Sequence, residues 1–173
     1  MENDIEKYIS LLQKWNRVHN LTRMSEREIR ESVEDSLFPI SEIEFESFLD
    51  VGSGAGFPAI PIAIANREKR AILVEPIKKK SSFLHYVKSE LGLKNMDIFS
   101  ERVENLQIEK VDLITSRAVT DTKTLLKISS HLLKNRGKFL FYKGSKLPDE
   151  VEGLQQKIEI ISKNLRNYLI VEN

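Results

Sequence analysis

The spacing of the hydrophobic residues changes near residue 45. Before that point, apolar side chains recur every three or four positions, which predicts helices. The first predicted helix carries Ile5, Tyr8, Ile9, Leu12 and Trp15. The second would begin at a capping-box pattern, Ser25 with Glu28, and end before Pro39, which cannot continue a helix. The pattern therefore predicts a small helical N-terminal segment over residues 1–44.

From residue 45 onward, short apolar runs alternate with helical patterns. The runs predicted as strands are 45–51, 71–76, 96–100, 111–117 and 137–144. The helices predicted between them cover 57–65, the stretch from Phe83 to Leu91 that Gly92 stops, and the stretch from Leu125 to Leu133. After them come a predicted helix from Pro148 to about Lys157 and strands near 158–162 and 167–172. This alternation predicts an α/β fold, a three-layer sandwich with a mostly parallel sheet over residues 45–173.

Composition narrows the class of protein. The 173 residues suit one domain, 1–173, and 40% hydrophobic with 31% charged residues is typical of a globular chain. The absence of cysteine excludes disulfides, thiolate zinc sites and thiol nucleophiles. His19, His85 and His131 are scattered without metal-ligand spacing, so we expect no metal. No apolar run could span a membrane and residues 1–10 do not resemble a secretory signal, so we expect a soluble, cytoplasmic protein. We also expect a monomer, although the sequence does not fix the oligomeric state.

Charge is unevenly distributed along the chain. Residues 1–50 contain 6 lysines and arginines against 12 acidic residues, whereas residues 51–173 contain 21 against 14. Such segregation permits a basic face that attracts a polyanion, although chance distribution over a solvated surface gives the same counts. The charge pattern alone leaves RNA binding open.

A glycine-rich turn follows the first predicted strand. Ligands of parallel sheets bind beyond the carboxyl ends of the strands, so residues after each strand are the candidates for a site. Here Asp50 precedes Gly52, Gly54 and Gly56, with Phe57 where a dinucleotide fingerprint would have its third glycine. The spacing resembles motif I of the class I S-adenosylmethionine-dependent methyltransferases. A glycine-rich turn without a ligand is the alternative.

Polar side chains follow the other strands as well. Glu75, 23 residues beyond Gly52, could accept both ribose hydroxyls of an adenosine, or could be a surface glutamate. Arg117 ends the fourth strand, where it could meet a methionine carboxylate or an RNA phosphate. Lysines at 78–80, with Lys143 and Lys146, would form a basic rim for phosphate contacts, unless they are merely solubilising.

Several short motifs, in order along most of the chain, resemble the RsmG/GidB family of bacterial 16S ribosomal RNA guanine-N7 methyltransferases. They are Trp15-Asn16 with Asn20-Leu21-Thr22, Asp35-Ser36-Leu37, the stretch 50–58, Glu75 with Lys79, Lys80, Phe83 and Leu84, then Arg102-Val103-Glu104, Ser116-Arg117-Ala118 and Lys143-Gly144. The chain departs from the family pattern at Ser32, where a histidine is usual, and at Ala59, where a glycine is usual.

The resemblance implies a Rossmann-like class I methyltransferase fold, S-adenosylmethionine as cofactor, and 16S ribosomal RNA or the small ribosomal subunit as partner. Its target would be N7 of guanine 527 in the usual rRNA numbering. The cofactor residues implied by the motifs are Gly52, Gly54, Phe57, Glu75, Val103, Glu104 and Arg117. Val103 and Glu104 would contact the adenine. Lys79, Lys80 and Lys143 are the candidates for RNA binding.

Guanine N7 already carries a lone pair, so its methylation needs no general base, and we assign no catalytic acid or base. The sequence also lacks the N/D-P-P-Y/F segment typical of amino-group methylation. Two alternatives remain open: a non-catalytic RNA-binding or assembly module on the same fold, and an NAD-dependent oxidoreductase. The missing third glycine argues against the oxidoreductase.

Overall fold

The computed structural model of the chain describes residues 1–144, 151, 153–164 and 166–173. Its helices are α1 (Glu2–His19), α2 (Glu26–Leu37), α3 (Ala59–Ala65), α4 (Lys78–Leu91) and α5 (Thr122–Ser129). Its strands are β1 (Ser47–Val51), β2 (Arg70–Val74), β3 (Met96–Phe99), β4 (Val111–Arg117), β5 (Leu133–Lys143), β6 (Ile158–Lys163) and β7 (Arg166–Glu172). Short 3₁₀ turns cover 39–42, 103–105 and 130–132.

The seven strands form one sheet in the order β3-β2-β1-β4-β5-β7-β6. Strands β1 to β5 are parallel, and β7 runs antiparallel between β5 and β6. Val51 at the end of β1 pairs with Val74 of β2 and Ser116 of β4. The carboxyl ends of these three strands are therefore aligned at one edge, and the residues that follow them can meet.

Alternate residues of the strands point into two separate apolar layers, as the pleat requires. Phe48, Leu73 and Leu113 pack on one face with helices α1 to α4. Leu49, Ile72, Ile114 and their neighbours pack on the other face with α5. Layers of helix on both faces of a mostly parallel sheet confirm the predicted three-layer α/β class.

Local signals set several helix ends as predicted. The Ser25 side chain accepts from the Glu28 backbone N–H, and the Glu28 carboxylate accepts from the Ser25 N–H, which completes the capping box of α2. Helix α4 ends at Gly92, whose φ of 60° lies in the left-handed region that glycine adopts without strain.

The helix predicted from Leu125 to Leu133 is too long. Helix α5 ends at Ser129, a 3₁₀ turn follows, and Leu133 already belongs to β5, where it pairs with Val111. The Leu133 side chain is fully buried and packs where a Cβ of Gly137 would lie, at 2.7 Å. Burial of one leucine in the sheet therefore overrides the helical spacing of the leucines before it.

The helix predicted from Pro148 to about Lys157 falls partly on residues 145–150 and 152, which lie outside the described residues, as does Lys146. Of the described residues in this range, Val151 is helical but 153–157 are not, so the prediction is wrong for 153–157. Gly153 has a φ of +77°, which a right-handed helix cannot accommodate. The strands predicted near 158–162 and 167–172 are confirmed as β6 and β7.

The N-terminal segment shares its hydrophobic core with the sheet. Tyr8 and Leu12 of α1 and Ile29 of α2 are buried in the same cluster as Phe48 of β1. The division into a segment 1–44 and a core 45–173 within one domain stays a prediction. None of the helices in the described part of the chain is long and apolar enough to cross a membrane.

Candidate active site

A cavity of about 560 Å³ opens at the carboxyl edge of β1, β2 and β4. All seven cofactor residues predicted from the sequence line it: Gly52, Gly54, Phe57, Glu75, Val103, Glu104 and Arg117. They come from four connections that are far apart in the chain but adjacent at the edge of the sheet. The volume of the cavity and its mixture of apolar and polar side chains suit a small-molecule site. Their contact with a cofactor stays a prediction.

The glycine-rich turn forms the floor of this cavity by crossing towards β2. The backbone N–H groups of Gly52 and Ser53 donate to the Val74 carbonyl oxygen at 2.8 and 3.2 Å. Gly52 has a φ of +71°, and a Cβ built on it would lie 2.5 Å from Cγ2 of Val119. The backbone conformation therefore favours glycine at position 52, and any larger residue there would also displace the Val119 side chain.

Helix α1 contacts and supports the same glycine-rich turn. The Tyr8 hydroxyl is fully buried and donates to the Ala55 carbonyl oxygen at 2.8 Å. The Tyr8 ring also packs on the ring of Phe57, with 5.4 Å between the centroids. The N-terminal segment thus fixes the position of Phe57, which lines the cavity.

Glu75 holds the opposite wall in place. It is buried, and its Oε2 accepts from the Gly54 N–H at 2.8 Å while its Oε1 accepts from the Ile77 N–H at 2.9 Å. Each carboxylate oxygen keeps a further lone pair for a ligand hydroxyl. The structure therefore makes Glu75 a fixed acceptor at the cavity wall and contradicts the alternative of a surface glutamate.

Asp50 lies beneath the turn and outside solvent. Its Oδ1 accepts from the Thr115 hydroxyl at 2.7 Å, whereas Oδ2 has no partner among the described residues. Burial raises the pKa of Asp50 to about 7, against the lowering effect of the hydrogen bonds from Thr115 and Ser53. The carboxyl therefore takes up its proton near neutral pH in the folded chain.

Asp50 should make the folded chain more stable in mild acid. The unfolded carboxyl stays ionised down to about pH 3.9, whereas the folded one binds a proton below about 7. Its stabilisation is therefore complete below about pH 4 and is lost as the pH rises through 7, on the order of 4 kcal/mol in all. Urea unfolding of Asp50→Asn at pH 4.5 to 7.5 should show a flatter dependence than the parent chain.

Asp112 supplies the control for that experiment. Although burial raises its pKa, hydrogen bonds from Lys134 and Ser47 lower it to about 2. Asp112 is ionised in both folded and unfolded chains throughout that pH range, so Asp112→Asn should lose stability without changing the slope. An unchanged slope in Asp50→Asn would contradict the inferred protonation.

Arg117 stands between two side chains of opposite character. Its guanidinium carbon lies 5.0 Å from the centroid of the Phe57 ring, in a cation–π contact. Its Nη1 lies 3.5 Å from Oδ2 of Asp35, in α2. The side chains of Arg117 and Asp35 are both largely buried, so the arginine has little freedom to leave the cavity wall.

Part of the cavity wall was not predicted from the sequence. Leu21, Thr22 and Met24, from the α1–α2 connection, line it, and so does Val119 after β4. The Asn16 side chain folds this connection inward by donating to the Thr22 carbonyl oxygen and accepting from the Thr22 N–H, both at 2.9 Å. Asn16 belongs to the motif Trp15-Asn16 and Thr22 to the motif Asn20-Leu21-Thr22. These two motifs were the signal in the sequence that could have identified this part of the cavity wall.

The three lysines predicted to bind RNA have different surroundings. Lys80 lines the cavity, whereas Lys79 is exposed and its Nζ donates to the His19 carbonyl oxygen. Lys143 lines a neighbouring cavity at the end of β5. All three occupy the carboxyl edge of the sheet, and their contact with RNA stays a prediction.

The two departures from the family pattern are accommodated without a gap. Ser32 is buried, lines the neighbouring cavity, and its hydroxyl lies 3.4 Å from the Met24 sulfur. Ala59 is fully buried in the first turn of α3, so its methyl group belongs to the core.

The start of α3 is poorly suited to a pyrophosphate. A dinucleotide site needs free backbone N–H groups at the helix start after the glycine turn. Here the Ile60 N–H already donates to the Gly56 carbonyl oxygen at 2.7 Å, and Ile60 is fully buried. Within the described ranges, no cluster of three or more histidine, aspartate or glutamate side chains could hold a metal ion.

Solved structures of methyltransferases share this fold. A Thermus thermophilus 16S rRNA N2 G1207 methyltransferase, solved with AdoMet and guanosine, matches with a TM-score of 0.66 and 16% identity, over 82% of this chain and 42% of that chain. A SAM-dependent methyltransferase from Aquifex aeolicus matches with a TM-score of 0.68 and 12% identity, over 93% and 97% of the two chains. Similarity at these identities concerns the fold alone.

Sequence comparison is more specific. Ribosomal RNA small subunit methyltransferase G of Aliarcobacter butzleri is 45% identical over 172 residues, covering 98% of this chain and 89% of the relative. The protein of the same name from Wolinella succinogenes is 45% identical over 150 residues, covering 86% and 78%. The GidB family model, described as rRNA small subunit methyltransferase G, matches residues 1–172. The chain therefore belongs to the GidB family of rRNA small subunit methyltransferase G.

Proposed function

We propose that the chain transfers a methyl group from S-adenosylmethionine to N7 of a guanine in 16S ribosomal RNA, at the family's target, guanine 527. The observation that carries this proposal is the cavity that all seven predicted cofactor residues line, in a chain that matches the family model over residues 1–172. The dinucleotide alternative is disfavoured by the bonded helix start of α3.

The residues around the cavity fit the cofactor. Glu75 offers fixed acceptors for two ribose hydroxyls, and the bare backbone at Gly52 and Gly54 leaves room for the methionine part. Val103 is buried at the wall where an adenine face would pack, beside the exposed Glu104. Arg117 would meet the methionine carboxylate or the RNA.

The reaction needs little chemistry from the protein. When bound, S-adenosylmethionine would supply a methyl group on a positively charged sulfur: the lone pair of guanine N7 would form the new bond to the methyl carbon as the carbon–sulfur bond breaks, leaving a neutral thioether. The chain's residues act by orienting the reactants. The glycine turn, Phe57 and Glu75 hold the cavity in shape, and Arg117 places a positive charge at the edge of the cavity. The guanine would have to be exposed from its stack for its N7 edge to enter.

A basic approach to the cavity supports RNA as the substrate. Lys79 and Lys80 begin α4 at the cavity edge of the sheet, whereas Glu42 and Glu44 are exposed before β1, towards the opposite edge. Phosphate contacts give affinity that depends on salt, so lysines beside the site should contribute to it.

Reversal of these charges should show which edge of the sheet binds the RNA. Lys79→Glu with Lys80→Glu should weaken binding of small-subunit RNA at least about tenfold at low salt. Glu42→Lys with Glu44→Lys should change it less than about twofold. Filter binding without cofactor measures RNA affinity apart from any effect of Lys80 on the cofactor cavity. Equal effects of the two double reversals would contradict this orientation.

The function itself is tested by methyl transfer. The protein is incubated with tritiated S-adenosylmethionine and either naked 16S rRNA or small subunits from cells that lack the endogenous activity. Borohydride and aniline cleavage of the product, which is specific for N7-methylguanine, then maps the modified position. Label at another atom would contradict guanine N7, and RNA binding without any label would favour the non-catalytic module. The two substrate forms show whether the assembled subunit is needed.

A further inference from the structure

A second cavity, of about 340 Å³, adjoins the first at the carboxyl edge of the sheet. Met24, Arg117 and Ala118 line both cavities. The rest of its wall comes from α2, from the end of β5 and from the start of β7. Because β7 is antiparallel, its first residues lie beside the last residues of β5, with Asn167 opposite Lys143. The second cavity therefore continues the first one sideways along the sheet.

Positive side chains and two buried tyrosines shape this second cavity. Arg117, Lys143 and Arg166 line it. Tyr142 donates its hydroxyl to the Ser36 carbonyl oxygen at 2.7 Å, which fixes the end of α2 to β5. The Tyr168 ring packs on that of Tyr142, with 5.7 Å between the centroids at 88°. The two tyrosines thus fix the shape of the wall, which carries three positive side chains beside the carboxylates of Glu28 and Asp35. Positive side chains are the usual partners of a nucleotide's phosphate groups.

Asp35 joins the elements that surround this cavity. Its Oδ1 accepts from the Tyr168 hydroxyl at 2.7 Å and lies 3.9 Å from Nε of Arg166. Its Oδ2 lies 3.5 Å from Nη1 of Arg117. Only 6% of the Asp35 side chain and 17% of the Arg117 side chain are exposed. A charge pair this far from solvent orients its members more strongly than a surface pair does.

The guanidinium of Arg117 is consequently held from two sides. Asp35 contacts it within the second cavity, and the Phe57 ring lies beneath it at the wall of the first. Its planar set of donors is therefore presented at the boundary, where oxygen atoms of a nucleotide could accept from it. Transfer of a methyl group requires the acceptor to lie directly beside the cofactor, and the second cavity offers that position.

We propose that the second cavity receives the acceptor nucleotide, and that Asp35 is a positioning residue that holds Arg117 at the boundary between the two cavities. The proposal rests on the proposed function, because it assigns the place of the acceptor in that reaction. It gives the DSL motif a role: Asp35 orients the arginine, and the Ser36 carbonyl anchors α2 to β5.

A double-mutant cycle tests whether Asp35 acts through Arg117. Asp35→Asn and Arg117→Gln should each lower kcat/KM for small-subunit RNA at least about tenfold, and the double variant should fall no more than about twofold below Arg117→Gln. Multiplied losses in the double variant would overturn the positioning role, since a merely structural effect of Asp35 would persist without the arginine. If Asp35→Asn does not fold, Tyr168→Phe, which removes only the hydroxyl that donates to Asp35, replaces it in the cycle.

A pair of arginines tests the place of the acceptor. Arg166 lines the second cavity and not the first, and Arg70 begins β2 at the opposite edge of the sheet. Their side chains are similarly exposed, at 50% and 42%. Arg166→Glu should raise the KM for RNA at least about tenfold while changing the calorimetric Kd of S-adenosylmethionine less than about twofold, and Arg70→Glu should change neither. Equal KM values for both variants would overturn the assignment.

Failure of the proposed function can be distinguished from failure of the inference about the second cavity. If the unaltered protein transfers no methyl group, the proposed reaction is contradicted, and the same variants are then compared by fluorescence anisotropy with labelled 16S rRNA. Weaker RNA binding by Arg166→Glu than by Arg70→Glu, with a non-additive Asp35–Arg117 cycle in the Kd, would still support the second cavity as a nucleotide site. Equal binding by all variants would overturn it.

Discussion

Replacement of Gly52 by valine should raise the dissociation constant for S-adenosylmethionine at least about 100-fold, which corresponds to about 2.7 kcal/mol. The backbone at Gly52 has a φ of +71°, which is strained for a β-branched residue. The new Cβ would also start 2.5 Å from a methyl group of Val119, at the cavity wall. Either the turn or Val119 must move, and both line the cavity.

Gly92 provides the matched control. Its φ of +60° is similarly left-handed, but no atom lies within 4 Å of the position its Cβ would take, and it ends α4 away from the cavity. Gly92→Val should lose stability through backbone strain while keeping its cofactor affinity. Isothermal titration calorimetry of both variants with S-adenosylmethionine separates the effect of backbone strain from the effect of filling the cavity. An unchanged affinity in Gly52→Val would contradict the assignment of the cavity.

Replacement of Glu75 is expected to have the second large effect. Glu75→Ala leaves the N–H groups of Gly54 and Ile77 without their acceptor and removes the carboxylate offered to the ribose. Loss of the acceptor for the ribose hydroxyls should weaken S-adenosylmethionine binding about 100-fold, since a hydrogen bond to a charged group contributes about 1.5–3 kcal/mol. The unsatisfied N–H groups should in addition lower the stability of the turn. Glu75→Gln should lose about tenfold, because the amide nitrogen cannot accept from the second N–H group.

Calorimetric titration of both Glu75 variants, with circular dichroism to confirm folding, measures this effect. Glu109 is the control, since it is an exposed glutamate that pairs with Arg70 at a distance from the cavity. Glu109→Ala should bind the cofactor like the parent chain. If Glu75→Ala bound it equally well, the ribose role of Glu75 would be wrong.

The parts of the site that follow strands could be predicted because their signals are local. The glycine turn, Glu75 and Arg117 each come directly after an apolar run, and parallel strands bring such positions to one edge. The boundary at Leu133 could not be predicted in this way. Its leucine spacing is helical, and only its burial against Gly137 shows that it belongs to β5.

The rest of the site depends on contacts between distant residues. The Tyr8 hydroxyl meets a carbonyl 47 positions later, and Asp35 meets Tyr168 across 133 positions. Each of these residues has an ordinary local explanation, as a core tyrosine or a helical aspartate. Periodicity places them on helices and strands but does not state which polar group of another element they will meet.

The Asp35–Tyr168 contact has a consequence for the order in which the parts of the site are completed during folding. Asp35 and Tyr168 are 133 positions apart, so their hydrogen bond forms only when β7 has joined the sheet beside β5. Until β7 inserts beside β5, the carboxylate of Asp35 lacks its tyrosine donor. The support of Arg117 by Asp35 is therefore complete only when the antiparallel part of the sheet has assembled.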